Sequence, residues 1–289
     1  MSDDGSDDFQ DYDFHSLLDA SNWEDLLKLL TDLKEQEPDI VEYALSILDD
    51  KNSTPIHKAV WKAPIPLAKL MITVVPLEAR ETILLKQDAD GNTPLHLCCA
   101  NLELKSDESL DTSVIKLLTE SAPTAHETLN WQNDSPSHLL LTSAGFHAVP
   151  DNYRAEAAAE DLLKSILGDR QHLTTAQNAG GATLLHAAAA HGSYERVLMA
   201  LLEMCPESAD LKDENGMLPL HYVAACVSGV ITSPIFVHRL VSRNPGSVMS
   251  QCQITSDTPL HLFVSNAKRN MEKHDWNSRN STRIGKYLF

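Results

Sequence analysis

The chain has 289 residues, 43% of them hydrophobic, and carries 23 Lys and Arg against 41 Asp and Glu, for a formal net charge of −18. Such a composition suits a folded, water-exposed chain. The acidic balance argues against a nucleic-acid binder, whose affinity comes mostly from neutralising phosphates, and favours basic partners over acidic ones.

No apolar run approaches the ~20 residues of a membrane span. The opening Met1-Ser2-Asp3-Asp4-Gly5 has neither a basic n-region nor an apolar stretch, which predicts no secretory signal. Cys98 and Cys99 are adjacent while Cys205, Cys226 and Cys252 are scattered, so no metal-ligand spacing appears. They read as reduced thiols of an intracellular protein, in the cytoplasm or nucleus.

Six aspartates fall within residues 1–13, an acidic tail with the composition of disorder. A helix is expected over Phe14–Ala20, and a second amphipathic one starts at Asn22-Trp23-Glu24-Asp25-Leu26-Leu27 and ends before Pro38. From residue 50 to 267 one phrase returns six times. It reads Thr54-Pro55-Ile56-His57, Thr93-Pro94-Leu95-His96, Ser135-Pro136-Ser137-His138, Thr183-Leu184-Leu185-His186, Leu218-Pro219-Leu220-His221 and Thr258-Pro259-Leu260-His261. The intervals are 39, 42, 48, 35 and 40 residues, which means stacked supersecondary units.

The phrase is a helix start. Thr is a good N-cap, Pro suits the first helical position, and the next Leu or Ile faces the core. Small residues follow, such as Ala59, Cys98-Cys99 and Ala187-Ala188-Ala189, letting helices approach closely. Two residues before each Thr-equivalent stand Asn52, Gly91, Asn133, Gly181, Gly216 and Ser256, mostly types that tolerate positive φ. Turn openers precede them: Asp49, Asp88, Asn130, Asn178 and Asp213. Second amphipathic helices are expected over Thr112–Glu120, Ala155–Leu167, the stretch from Ser193 to Leu202, and Pro234–Val241. Pro76, Pro123, Pro206 and Pro245 then punctuate the ends. Each unit is therefore turn, helix, turn, helix. After Val264 another second helix is expected, yet residues 268–289 show little amphipathic period and hold six basic residues against two acidic ones. They read as a basic tail, an irregular cap, or the cut end of a longer chain.

The region from about residue 12 to 267 resembles an ankyrin-repeat array, most closely at Asp88–Cys99 and Asp213–Ala224. The resemblance implies an all-α fold: an α-solenoid of helix-turn-helix units joined by hairpin-like loops. Residues 14–49 would be a degenerate capping repeat, 50–267 six repeats, 1–13 and 268–289 the tails. The spacings exceed the family's usual ~33 residues, and the third repeat is the most eroded, with Ser137 at an apolar position and an insertion at Gly145–Arg154.

Thirteen histidines invite a metal reading, but six are the repeated ones, which the resemblance makes structural, bonding within and between neighbouring repeats. The others lack ligand spacing such as His-Glu-x-x-His. No phosphate loop and no Gly-x-Ser-x-Gly elbow is present. No cofactor, metal or catalytic residue is therefore expected.

Binding remains. In the family, turn tips and the exposed ends of first helices form one face. Carried onto this chain, that face presents Lys51, Ser53, Trp61 and Lys62 in the first repeat, and Asp90, Asn92 and Asn101 in the second. Trp131, Gln132 and Asp134 follow in the third, and Glu214 and Met217 in the fifth. Trp61 and Trp131 read two ways, as hot-spot anchors or as side chains packed on a neighbouring loop. The Gly145–Arg154 insertion is a second candidate surface. The function expected is a non-catalytic, monomeric scaffold or adaptor that binds another protein, one with a basic surface, and neither nucleic acid nor membrane. The alternatives are the regulatory portion of a larger enzyme, and an inhibitor occluding a partner enzyme.

Overall fold

A computed structural model describes residues 13–107, 109–149, 151–226 and 234–272. Among them are sixteen α-helices, and no strand beyond two isolated bridges. The chain divides into two compact units, Met1–Asn101 with Thr112–Trp131, and Leu102–Asp111 with Gln132–Phe289.

The first unit is three trios of helical segments. They are α1 (Phe14–Asp19), α2 (Trp23–Leu33) and α3 (Pro38–Ser46); α4 (Pro55–Lys62), α5 (Ile65–Val74) and α6 (Leu77–Leu84); and α7 (Pro94–Ala100), α8 (Ser113–Ser121) and a 3-10 turn, Pro123–His126. First helices stack on first helices, α1 on α4 on α7, and second on second, α2 on α5 on α8. Between the layers lie Phe14, Leu30, Ile56 and Met71, all fully buried. Each such side chain contributes roughly 1.5–3 kcal/mol. Ala59 and Cys99, also fully buried, are small enough to let α4 and α7 meet.

The second unit repeats the plan. It holds α9 (Pro136–Thr142), α10 (Tyr153–Leu167) and α11 (His172–Thr175); α12 (Leu184–His191), α13 (Glu195–Met204) and a 3-10 turn, Pro206–Asp210; α14 (Pro219–Ala225), α15 (Pro234–Arg243) and a 3-10 turn, Pro245–Met249; and α16 (Pro259–Glu272). The chain α9, α12, α14, α16 forms one layer and α10, α13, α15 the next.

These trios add a third segment to the two-helix unit expected from the sequence. Pro38, Pro123, Pro206 and Pro245 follow the second helix and also open a third helical segment, and Pro76 is the N-cap of α6. Proline can start a helical turn because it lacks only an N–H that would be unpaired there anyway. In two of the turns the hydroxyl two residues on closes back onto the residue before the proline, Ser208 to Cys205 O and Ser247 to Asn244 O, both at 2.6 Å. The third segments, with the longer connections Asn101–Thr112 and Ser143–Asn152, make the repeats longer than ~33 residues. A correction falls at the C-terminal end, where no turn follows Val264 and α16 runs on unbroken to Glu272. Most of the acidic and basic tails lies outside the described residues; Asp13 is within them and caps α1, accepting the Ser16 N–H at 3.0 Å.

The repeated phrase works through its histidine. In the Thr54 copy the Thr54 N–H donates to His57 Nδ1 at 3.1 Å, and the Thr54 hydroxyl lies 2.8 Å from the same nitrogen. A backbone N–H can only donate, so Nδ1 is bare and the ring proton sits on Nε2. Nε2 then donates to a carbonyl of the next repeat: His57 to Asn92 O at 3.0 Å, His138 to Ala182 O at 3.3 Å and His186 to Met217 O at 3.1 Å, each in a hairpin, and His221 to Ser250 O at 3.0 Å, at the end of a 3-10 turn. Burial holds all four imidazoles below their usual pKa, because the charged form is poorly solvated there.

Candidate functional site

Four of the hairpins before the phrases share one construction. Asp49 Oδ1 accepts the Lys51 and Ser53 N–H groups at 2.9 and 2.8 Å. Asp88 serves Asp90 and Asn92 in the same way, Asn178 serves Gly180 and Ala182, and Asp213 serves Asn215 and Met217. In all six hairpins one residue near the tip lies in the left-handed region: Asn52, Gly91, Asn133, Gly181, Gly216 and Ser256 have φ between 56° and 81°. Glycine pays no steric cost there and Asn little.

Successive tips are stitched by backbone bonds. In the first unit the Ala89 N–H donates to Lys51 O at 2.8 Å and the Trp131 N–H to Asp90 O at 3.1 Å. In the second, Ala179 donates to Gln132 O, Glu214 to Gly180 O and Gln253 to Asn215 O, at 2.7 to 3.0 Å. A Cβ at Gly91 would lie 2.7 Å from both the backbone N and the ring Cδ2 of Trp131, one at Gly181 2.7 Å from the backbone N of Glu214, and one at Gly216 2.7 Å from Gln253 Cγ. Where the donor is Ala89 or Ala179, the left-handed residue is Asn52 or Asn133 instead.

Side chains add struts. Gln87 Nε2 donates to both Gly91 O and Leu129 O, at 2.7 and 2.9 Å. Gln177 repeats this with Gly181 O and Lys212 O. Asn130 Nδ2 reaches back to Asn92 Oδ1 at 3.0 Å, and Asn178 Nδ2 to Asp134 Oδ1 at 2.8 Å. The residue before each phrase is thus framework. Asp134 is only 8% exposed and its carboxylate is engaged by Asn178, which takes it out of the exposed set expected from the sequence. Asn92 and Met217 are half-buried, their backbones held by the Asp88 and Asp213 turns and by the histidines.

What stays exposed in the first unit is Lys51, Trp61, Lys62, Asp90 and Trp131, with Asn101 half-buried. Trp61, near the end of α4, is 48% exposed, and Asn101 Nδ2 caps its carbonyl at 2.9 Å. Beside it is a cleft lined by Asp19, Asp50, Lys51, His57, Trp61 and Lys62. Lys58 bridges Asp19 and Asp49 at 2.6 and 3.0 Å, and Lys62 meets Asp19 at 2.8 Å. The hydrogen bonds from Lys58 and Lys62 hold the Asp19 carboxyl down at about 2. With Asp19 half-exposed, this network ties α1 to α4 by no more than roughly 1 kcal/mol per pair. Trp131 packs on the neighbouring hairpin and still faces outward. Its Nε1 donates to Ala89 O at 3.0 Å and its ring rests on Gly91, yet the residue is 66% exposed. In the second unit Gln132 and Glu214 are exposed.

The Gly145–Arg154 insertion is docked within the second unit. The Gly145 N–H donates to Leu102 O at 2.8 Å, Ala148 donates to Gly192 O at 3.0 Å, and Phe146 is fully buried. The His147 and His191 rings stack 5.6 Å apart, and burial followed by His147 lowers the His191 pKa. Among the described residues no group of three or more His, Cys, Asp or Glu could hold a metal ion, and no helix is long and apolar enough to cross a membrane. None of the five cysteines is joined in a disulfide.

No family model matches the chain, and no curated protein matches it by sequence. Solved structures do. The ankyrin repeat domain of Bcl-3, a unique member of the IkappaB protein family, matches at TM-score 0.54 and 17% identity, covering 94% of this chain and 97% of that one. The human ASB11 ankyrin repeat domain matches at TM-score 0.55 and 16% identity, with 96% of each covered. The trios, the hairpin tips and the Thr-Pro-Leu-His boxes agree with that likeness: the chain has the ankyrin-repeat fold.

Proposed function

We propose that this chain is a non-catalytic, monomeric protein-interaction module, a scaffold or adaptor in the cytoplasm or nucleus. Its partner is another protein with a basic surface. The observation that carries the reading is the first unit's row of tips and helix ends. A hydrogen-bonded frame there leaves Trp61 and Trp131 exposed, with Lys51, Lys62 and Asp90 around them. Large aromatics on a rigid frame bind at low entropic cost, and such residues dominate hot spots. In the second unit, taken by itself, Gln132 and Glu214 are exposed at equivalent tips.

Affinity capture with quantitative mass spectrometry tests this. Wild-type bait is expected to retain a reproducible partner that is lost from Trp61→Ala/Trp131→Ala bait of unchanged helical content. Equal retention by both baits would refute the face, and no partner at all would refute the module.

A further inference from the structure

The tip at Trp131 points to one class of ligand within that reading, on which this inference rests. The indole is held from three sides. Its backbone N–H is engaged by Asp90 O, its Nε1–H by Ala89 O, and one ring face by Gly91. Gln87 clamps the hairpin below through Gly91 O. With 66% of the residue still exposed, what it offers outward is an aromatic face with no donor left for an anion. Such a face attracts cations.

The fold does not require this side chain. The corresponding tip position carries Asp50, Ala89, Ala179, Glu214 or, in the last hairpin, Gln253, and the backbone stitch needs only the N–H. Nor is the charge neutral. Asp90, in the tip beneath Trp131, is exposed, and its carboxylate makes no ion pair among the described residues. The chain as a whole carries −18, a field that draws cationic ligands and excludes anionic ones.

We propose that Trp131 and Asp90 form a seat for an arginine side chain of the partner, the guanidinium lying flat on the indole and forking onto the Asp90 carboxylate. Arginine is preferred over lysine because its planar, weakly hydrated cation can stack and bond two ways at once, whereas an ammonium remains a hydrated point charge.

The test is fluorescence-anisotropy titration of labelled Gly-Arg, Gly-Lys and Gly-Glu repeat peptides onto the full chain. The Arg peptide is expected to bind about five- to tenfold tighter than the Lys peptide, with the Glu peptide weakest. Trp131→Ala, which leaves the net charge untouched, should remove most of that preference. Trp131→Phe should keep part of it, and Asp90→Asn should lower Arg affinity about two- to fivefold. Equal binding of Arg and Lys peptides, or an Arg preference surviving Trp131→Ala, overturns the seat. So does self-association in sedimentation that Trp131→Ala abolishes, since a second copy would then cover the face. If peptide selectivity is absent while the captured partner is still lost on Trp131→Ala, the cation chemistry fails and the interaction-module reading stands. If the Arg preference holds while both capture baits keep the same partners, the converse is true.

Discussion

Gly91 and Trp131 should be thermodynamically coupled, and the size of the coupling follows from the geometry. At Gly91 φ is +81°, and an added Cβ would sit 2.7 Å from both the backbone N and the ring Cδ2 of Trp131. Alanine there pays about 1–2 kcal/mol for the left-handed backbone. It also pushes the tip away, weakening the Trp131 N–H and Nε1–H bonds, each worth about 0.5–1.5 kcal/mol. Gly91→Ala should therefore cost about 2–4 kcal/mol. Asparagine separates the two effects, because it tolerates positive φ. Asn52 and Asn133 already occupy this conformation under Ala89 and Ala179. Gly91→Asn is expected to cost about 1–2 kcal/mol with Trp131 present and less than about 0.5 in a Trp131→Ala background, a coupling near 1 kcal/mol. Urea unfolding followed by far-ultraviolet circular dichroism measures all four corners of the cycle. Strictly additive costs would show that the Trp131 ring places no constraint on position 91.

Two further outcomes follow from buried polar groups. His57, His138, His186 and His221 have pKa values lowered by burial, so the unfolded chain binds protons more readily than the fold. Their contribution is intact above the unfolded value of about 6.5 and falls away as pH drops below it towards the depressed folded values, by at most about 1.4 kcal/mol per pH unit for each histidine. The urea midpoint should drop clearly between about pH 7.5 and pH 5.5, with a shallower slope in His57→Gln; a flat profile would contradict the assigned tautomer. Ser137 is fully buried and its hydroxyl has no partner. Ser137→Ala should raise stability by about 1 kcal/mol in the same assay, and a loss of stability would mean that the hydroxyl is bonded after all.

Much of the hairpin and helix-start pattern was legible because it is local. Thr54-Pro55 pre-forms a cap and a first turn, and the five Gly and Asn residues placed two before the phrase have the positive φ their type suggested, as does Ser256, whose type did not suggest it. The third helical segments were missed because Pro123, Pro206 and Pro245 both end one helix and start the next, and proline punctuation alone does not tell these apart. Asp134 was misplaced for a different reason. Its neighbour is Asn178, 44 positions along. A signal did exist: the turn opener is Asn, with a donor to spare, at Asn130 and Asn178, where the residue reached back to is Asn92 or Asp134, and it is Asp at Asp88 and Asp213, which follow Ser53 and Ala182. Gln87 and Gln177 carried the same kind of signal, six residues before Thr93 and Thr183.

By itself, the sequence determined the repeat, the position of every first helix and the left-handed turn before it, since proline's fixed φ, the tolerance of Gly and Asn, and apolar periodicity act over a few residues. Only the tertiary structure decided which polar side chains are engaged and which face solvent. That depends on what the next repeat places 30 to 45 residues away. The same stacking that buried Asp134 under Asn178 set Trp131 on Gly91 and left its outer face open.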